Sequence, residues 1–129
     1  MMRKISLLAI FILSIYYLQS CTQQGECEGR IVVENPLPDI TIQLEDGEHT
    51  IDLTSPPVFK HTANKNLTYS QMVVEGIQIL GVTLKRVPET DKASLLILKP
   101  REKGTAKVLI EAQDDCIEGV EEEFTVTIE

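Results

Sequence analysis

Two runs of alternating residues near the C-terminus constrain this chain more than any other feature. In the first, Ala106, Val108, Ile110 and Ala112 alternate with Thr105, Lys107, Leu109 and Glu111. In the second, Phe124, Val126 and Ile128 alternate with Glu123, Thr125 and Thr127. A period of two places one set of side chains on each face of a strand, so each run has a face to bury. The intervening Gln113-Asp114-Asp115-Cys116-Ile117-Glu118-Gly119 is acidic and contains glycine, which suits a hairpin connection and no helix. The chain therefore ends in a β-hairpin, and the strands before it must cover its apolar face.

Upstream, short strand signals follow one another with little helical periodicity. Ile31 to Val33 is apolar and stops at Asn35-Pro36-Leu37-Pro38, where two prolines exclude a central strand and leave an edge strand or one that changes sheets. Ile40, Ile42 and Leu44 alternate with polar residues up to Asp46-Gly47, after which Ile51 and Leu53 alternate with Thr50 and Asp52, a pattern that predicts a second hairpin. Ser55-Pro56-Pro57 ends it. Lys60 to Asn66 reads as a polar loop, and Leu67, Tyr69, Gln71 and Val73 then point one way from the next strand. The β-branched residues between Met72 and Val87, punctuated by Gly76 and Gly81, favour one or two strands, with a short helix over Gln71 to Glu75 as the alternative. Val87 to Asp91 is a turn region. Leu96 and Leu98 face one side of a further strand and Leu95 and Ile97 the other, so both of its faces are apolar. The sum is seven or eight short strands, the signature of an all-β antiparallel sandwich or barrel. With 3 Phe and no Trp, its core is aliphatic.

The N-terminus has a different character. Arg3 and Lys4 precede the apolar run Ile5 to Leu18, which is too short for a comfortable membrane span of about 20 apolar residues. Leu18-Gln19-Ser20-Cys21 resembles the lipobox of bacterial lipoproteins. The resemblance implies a signal peptide over 1–20, cleavage after Ser20, and lipid (palmitate and related acyl chains) on the Cys21 thiol. The alternative is an uncleaved anchor helix; either places the domain beside a membrane and outside the cytoplasm. Acylation through more than one chain holds a protein firmly, because each buried methylene contributes about 0.8 kcal/mol. Thr22 stands where many inner-membrane lipoproteins carry aspartate, which by resemblance favours the outer membrane of the bacterial envelope. Residues 21–30 then form a polar lipidated tether, and 31–129 the domain.

The formal net charge is −8, and loss of 1–20 with Arg3 and Lys4 leaves the mature chain two charges more negative. Such acidity opposes binding to nucleic acid, whose charge has the same sign. Nucleic acid is therefore not an expected partner. Once Cys21 carries lipid, Cys27 and Cys116 are the cysteines left to pair, and an exported compartment permits that disulfide. Two free thiols are the alternative. No metal is expected, since two cysteines and distant histidines lack zinc-ligand spacing.

The mature domain resembles the bacterial cadherin-like and immunoglobulin-like modules of surface proteins. Leu37-Pro38-Asp39-Ile40-Thr41-Ile42, Thr50-Ile51-Asp52-Leu53, Asn66-Leu67-Thr68-Tyr69-Ser70, Leu96-Ile97-Leu98-Lys99-Pro100 and the terminal hairpin occur in that family's order. The resemblance implies a two-sheet sandwich with a binding or spacer role. In that topology the chain enters at the same end as the loop between the last two strands, so Cys27 approaches Cys116. Calcium-binding relatives carry an acidic cluster before the middle strand, whereas Lys60-His61-Thr62-Ala63-Asn64-Lys65-Asn66 is basic to neutral. Asp114, Asp115 and Glu118 alone supply too few of the six to eight oxygens that calcium takes.

No Gly-x-Ser-x-Gly, His-Glu-x-x-His or phosphate-binding loop appears, so no catalytic residue and no cofactor is assigned. His49 and His61, the only histidines, read as surface residues. The expected function is a non-catalytic, lipid-anchored envelope module that displays its sandwich to a protein or glycan partner. A small structural subunit of an envelope complex is the alternative, followed by a hydrolase whose site is assembled from loops.

Overall fold

The computed structural model describes residues 27–88, 92–116 and 119–129. Among these residues nine strands follow in order: β1 (Ile31–Val33), β2 (Ile40–Ile42), β3 (His49–Asp52), β4 (Phe59–His61), β5 (Thr68–Glu75), β6 (Leu80–Arg86), β7 (Ala93–Pro100), β8 (Gly104–Gln113) and β9 (Gly119–Ile128). Seven of them build two facing sheets, β2-β9-β8-β5 and β3-β7-β6, while β1 and β4 pair only with each other. This is an immunoglobulin-like β-sandwich.

The terminal hairpin forms as its alternation requires. β8 and β9 run antiparallel from Gly104 opposite Ile128 to Gln113 opposite Gly119. Ala106, Val108, Ile110, Ala112, Phe124, Val126 and Ile128 are all buried. Leu53, Leu80, Leu96 and Leu98 are buried as well, joining them in one largely aliphatic core that also holds Phe59 and Phe124. Burying each such side chain stabilises by about 1.5–3 kcal/mol, and the small Ala106 and Ala112 leave room for larger neighbours.

The hairpin expected around Asp46-Gly47 does not form. β2 pairs in parallel with β9, Ile40 opposite Val126 and Ile42 opposite Ile128. β3 pairs antiparallel with β7 in the other sheet, His49 opposite Leu98 and Asp52 opposite Leu95. A single 3-10 turn, Leu44–Asp46, carries the chain between the sheets. Both alternating runs still bury an apolar face, but each finds its partner at a distance rather than across the turn. The β2–β9 edge is extended by Leu44 N–H donating to Glu129 O at 2.8 Å and by Thr125 N–H donating to Asp39 Oδ1 at 2.8 Å.

Gln71 to Glu75 lies within β5 and is a strand, not a helix. The chain then crosses from one sheet to the other at Gly76, whose φ of +79° suits glycine. A Cβ there would lie 2.7 Å from Thr105 O, so the crossing also packs directly against β8. β7 alternates buried Ser94, Leu96 and Leu98 with half-buried neighbours, in keeping with its central place in the second sheet.

Candidate functional site at the disulfide pole

At one pole of the sandwich the β4–β5 connection, the β8–β9 loop and the entering segment 27–30 converge. Cys27 and Cys116 are joined by a disulfide with a Cα separation of 6.0 Å, inside the range that unstrained bridges occupy. The entering segment is also held by backbone. Thr62 N–H donates to Arg30 O at 2.9 Å, and Arg30 N–H donates to Thr62 Oγ1 at 2.9 Å. Gly29 has a φ of +80°, and a Cβ on it would lie 2.8 Å from His61 Cε1, Thr62 Oγ1 and Ala63 Cβ. Only glycine seats the chain at that distance.

Beneath this segment lies a buried pair that the sequence reading missed. His61 ends β4 and is buried, contrary to its expected place in an exposed polar loop. Its Nε2 is 3.2 Å from Asp114 Oδ2, and the two side chains are only 1% and 2% exposed. Ala63 N–H donates to His61 Nδ1 at 3.0 Å, which makes that nitrogen an acceptor and puts the ring proton on Nε2, donated to Asp114. Asp114 Oδ1 in turn accepts from Cys116 N–H at 2.9 Å. The polar pair thus ties β4 to the loop that carries Cys116. The detectable signal was the spacing of Phe59 and His61, two residues apart on the face that β4 buries.

This dyad has the composition of a catalytic His–Asp pair but not its hydrogen-bonding pattern. With Nε2–H directed at Asp114 and the Nδ1 lone pair directed at Ala63 N–H, neither nitrogen is left to take a substrate proton. Asp114 is likewise engaged, by His61 Nε2–H and Cys116 N–H among its partners. Asp115 is exposed, Glu118 lies outside the described residues, and among the described residues no group of three or more His, Cys, Asp or Glu side chains could hold a metal. His49, at the start of β3, is exposed as expected. Cys21 and the whole of 1–26 lie outside the described residues.

A cavity of about 540 Å³ is lined by Leu67, Tyr69, Arg86, Lys92 and Ala93, together with Asn66 and Thr68. Tyr69 stacks at a tilt on Phe59, with ring centroids 6.1 Å apart. Burial, and secondarily the negative charge of Asp52, pushes the Tyr69 phenol above its ordinary pKa, so it stays a neutral hydrogen-bonding group.

No known family matches this sequence. Nor does any curated protein match it. Among solved structures, the chain is similar to the solution structure of the PKD domain from the KIAA 1837 protein, with 15% sequence identity, a TM-score of 0.51, and coverage of 81% of this chain and 89% of that one. At that identity the likeness establishes the fold alone.

Proposed function

We propose that this chain is a non-catalytic interaction module held at the bacterial envelope by lipid on Cys21, displaying its sandwich to a protein or glycan partner. The observation that carries the reading is the Cys27–Cys116 bridge, a pairing that an oxidising, exported compartment permits, with Cys27 six residues after the lipobox cysteine. Those six residues reach at most about 20 Å when extended, so a lipid on Cys21 would hold the disulfide pole close to the membrane. The opposite pole and the flanks of the sandwich would then face outward. The engaged nitrogens of His61 speak against general-base chemistry at the one buried His–Asp pair, and an immunoglobulin-like frame serves binding through its loops and edges. Thr22 after the lipidated cysteine favours the outer membrane.

Fractionation of cells expressing the wild type and Cys21→Ser tests the anchor. Wild-type protein should partition with membranes and detergent, and the variant should be released folded and soluble. Retention of Cys21→Ser in the detergent phase would contradict the reading. Purification of the wild type from solubilised membranes then separates the two roles open to such a module. One dominant stoichiometric partner identifies a subunit of an envelope complex, and its absence identifies a module for external ligands.

A further inference from the structure

Met72, Val74 and Ile77 are 55%, 41% and 68% exposed, and they are the exposed large apolar residues among those described. Single exposed apolar side chains are ordinary, but these cluster on and just after one strand. That strand, β5, is one edge of the first sheet, and β6, which follows it, is an edge of the second. Between them runs a groove of about 380 Å³ lined by Gln71, Met72, Ile77, Leu80, Val82 and Arg101 among others. Gln71 Nε2 donates to Val82 O at 3.0 Å, so a side chain occupies one edge carbonyl where a neighbouring strand would otherwise bond.

Edge strands expose backbone donors and acceptors, and proteins ordinarily blunt them with short length, proline or charge. The other edges here follow that rule. β2 has three residues and follows Pro36 and Pro38; β3 has four and is soon followed by Pro56 and Pro57; β6 ends in Lys85 and Arg86. Thr68 to Val73 of β5 carries neither charge nor proline, and the register shift after Val73 and the charge of Glu75 come only at its end. At the groove stands one cation. The Arg101 guanidinium donates to Ile77 O at 3.4 Å and meets no carboxylate among the described residues, whereas Lys99 is paired with Glu48 and Lys107 with Glu75.

We propose that this groove is a docking site for an extended peptide segment of a partner protein, which adds to β5 as a further strand. Its alternate side chains are apolar, against Met72 and Ile77, and an acidic residue meets Arg101. The open backbone edge favours a peptide over a glycan, because a strand satisfies a row of N–H and C=O groups at the spacing they present. A second copy pairing antiparallel about the middle of its own β5 would set its Glu75 opposite Thr68, at the end of the strand away from Ile77 and Arg101. This inference rests on the interaction-module reading and names its surface.

The test uses the full-length protein in detergent and a fluorescein-labelled synthetic peptide of about eight residues, alternating valine and threonine and ending in aspartate. A matched peptide ends in lysine, and a third carries N-methyl groups on alternate residues. Fluorescence anisotropy should show saturable binding of the acidic peptide, about tenfold tighter than the lysine form, which corresponds to one decade in Kd. Arg101→Glu should reverse that order. Met72→Glu should weaken binding at least about tenfold, while Lys60→Glu, exposed on β4, should leave it unchanged. Alternate N-methylation should abolish binding. Lack of saturable binding up to about 1 mM, equal binding by Met72→Glu, or equal binding of the N-methylated peptide overturns the proposal. So does a wild-type dimer in sedimentation that Met72→Glu disperses, which would assign the edge to a second copy. Release of Cys21→Ser from membranes depends on neither Met72 nor Arg101, so this surface and the anchored-module reading can fail separately.

Discussion

Replacing Cys27 and Cys116 together by serine should destabilise the domain chiefly by freeing its unfolded state. The bridge spans 89 residues, nearly the whole described chain. In the loop-entropy account, closing a loop of that length removes about 15 cal/mol/K from the unfolded ensemble, or about 4.6 kcal/mol at room temperature. Measured returns are commonly lower, so a loss of about 3–4 kcal/mol is expected. For a domain of about 100 residues each kcal/mol shifts Tm by roughly 4–8 °C, and the variant should melt at least ~12 °C lower. Urea titration followed by circular dichroism gives both the midpoint and the slope. Without the cross-link the unfolded chain exposes more surface, so the midpoint should fall while the slope m rises. A loss below about 1 kcal/mol with an unchanged slope would refute this reasoning. It would mean that the docked segment 27–30 and the His61–Asp114 pair restrain the pole without the bridge.

Val108→Asp and Val126→Asp place an unpaired charge at fully buried positions and should each cost about 3 kcal/mol or more, whereas Lys107→Ala and Thr127→Ala should cost less than about 1; similar melting temperatures for all four would mean that the register is wrong. Asp114→Ala leaves the His61 Nε2–H and the Cys116 N–H without their acceptor and should lose about 2 kcal/mol or more in urea titration, while a neutral result would remove the pair from the account of the pole. Because burial raises the Tyr69 pKa in the fold, the stability this provides is present below the unfolded value of about 10 and is lost as pH rises through the folded value. Tyr69→Phe should therefore soften the alkaline loss of stability relative to wild type, and equal losses in both would contradict the shift.

Strand placement was legible where burial is one-sided. Val108 and Phe124 face each other in β8 and β9, and their polar neighbours face out, so alternation alone set the terminal hairpin and its inward face. Partnership was not legible in the same way. Asp46-Gly47 signals a change of direction, but local turn chemistry does not state whether the next strand returns beside the last or crosses to the facing sheet. Ile40–Ile42 is satisfied instead by β9, at the far end of the chain, in a parallel pairing that no local pattern encodes. His61 was missed for a related reason. Its polar neighbours Lys60, Thr62 and Asn64 make the stretch read as a loop, and its burial depends on Asp114, 53 residues away. The approach of Cys27 to Cys116 was reached only through the fold, since their sequence separation carries no geometric information. The β5–β6 groove was not legible at all, because edges exist only once the strand order is known.

The central claim, a domain tethered by lipid next to its disulfide pole, is tested most directly by the mass of the N-terminal region of the protein extracted from membranes without reduction. The account predicts a chain that begins at Cys21, carries acyl chains on that residue, and retains Cys27 linked to Cys116 after proteolysis. A chain that begins at Met1 with an unmodified Cys21 would contradict it.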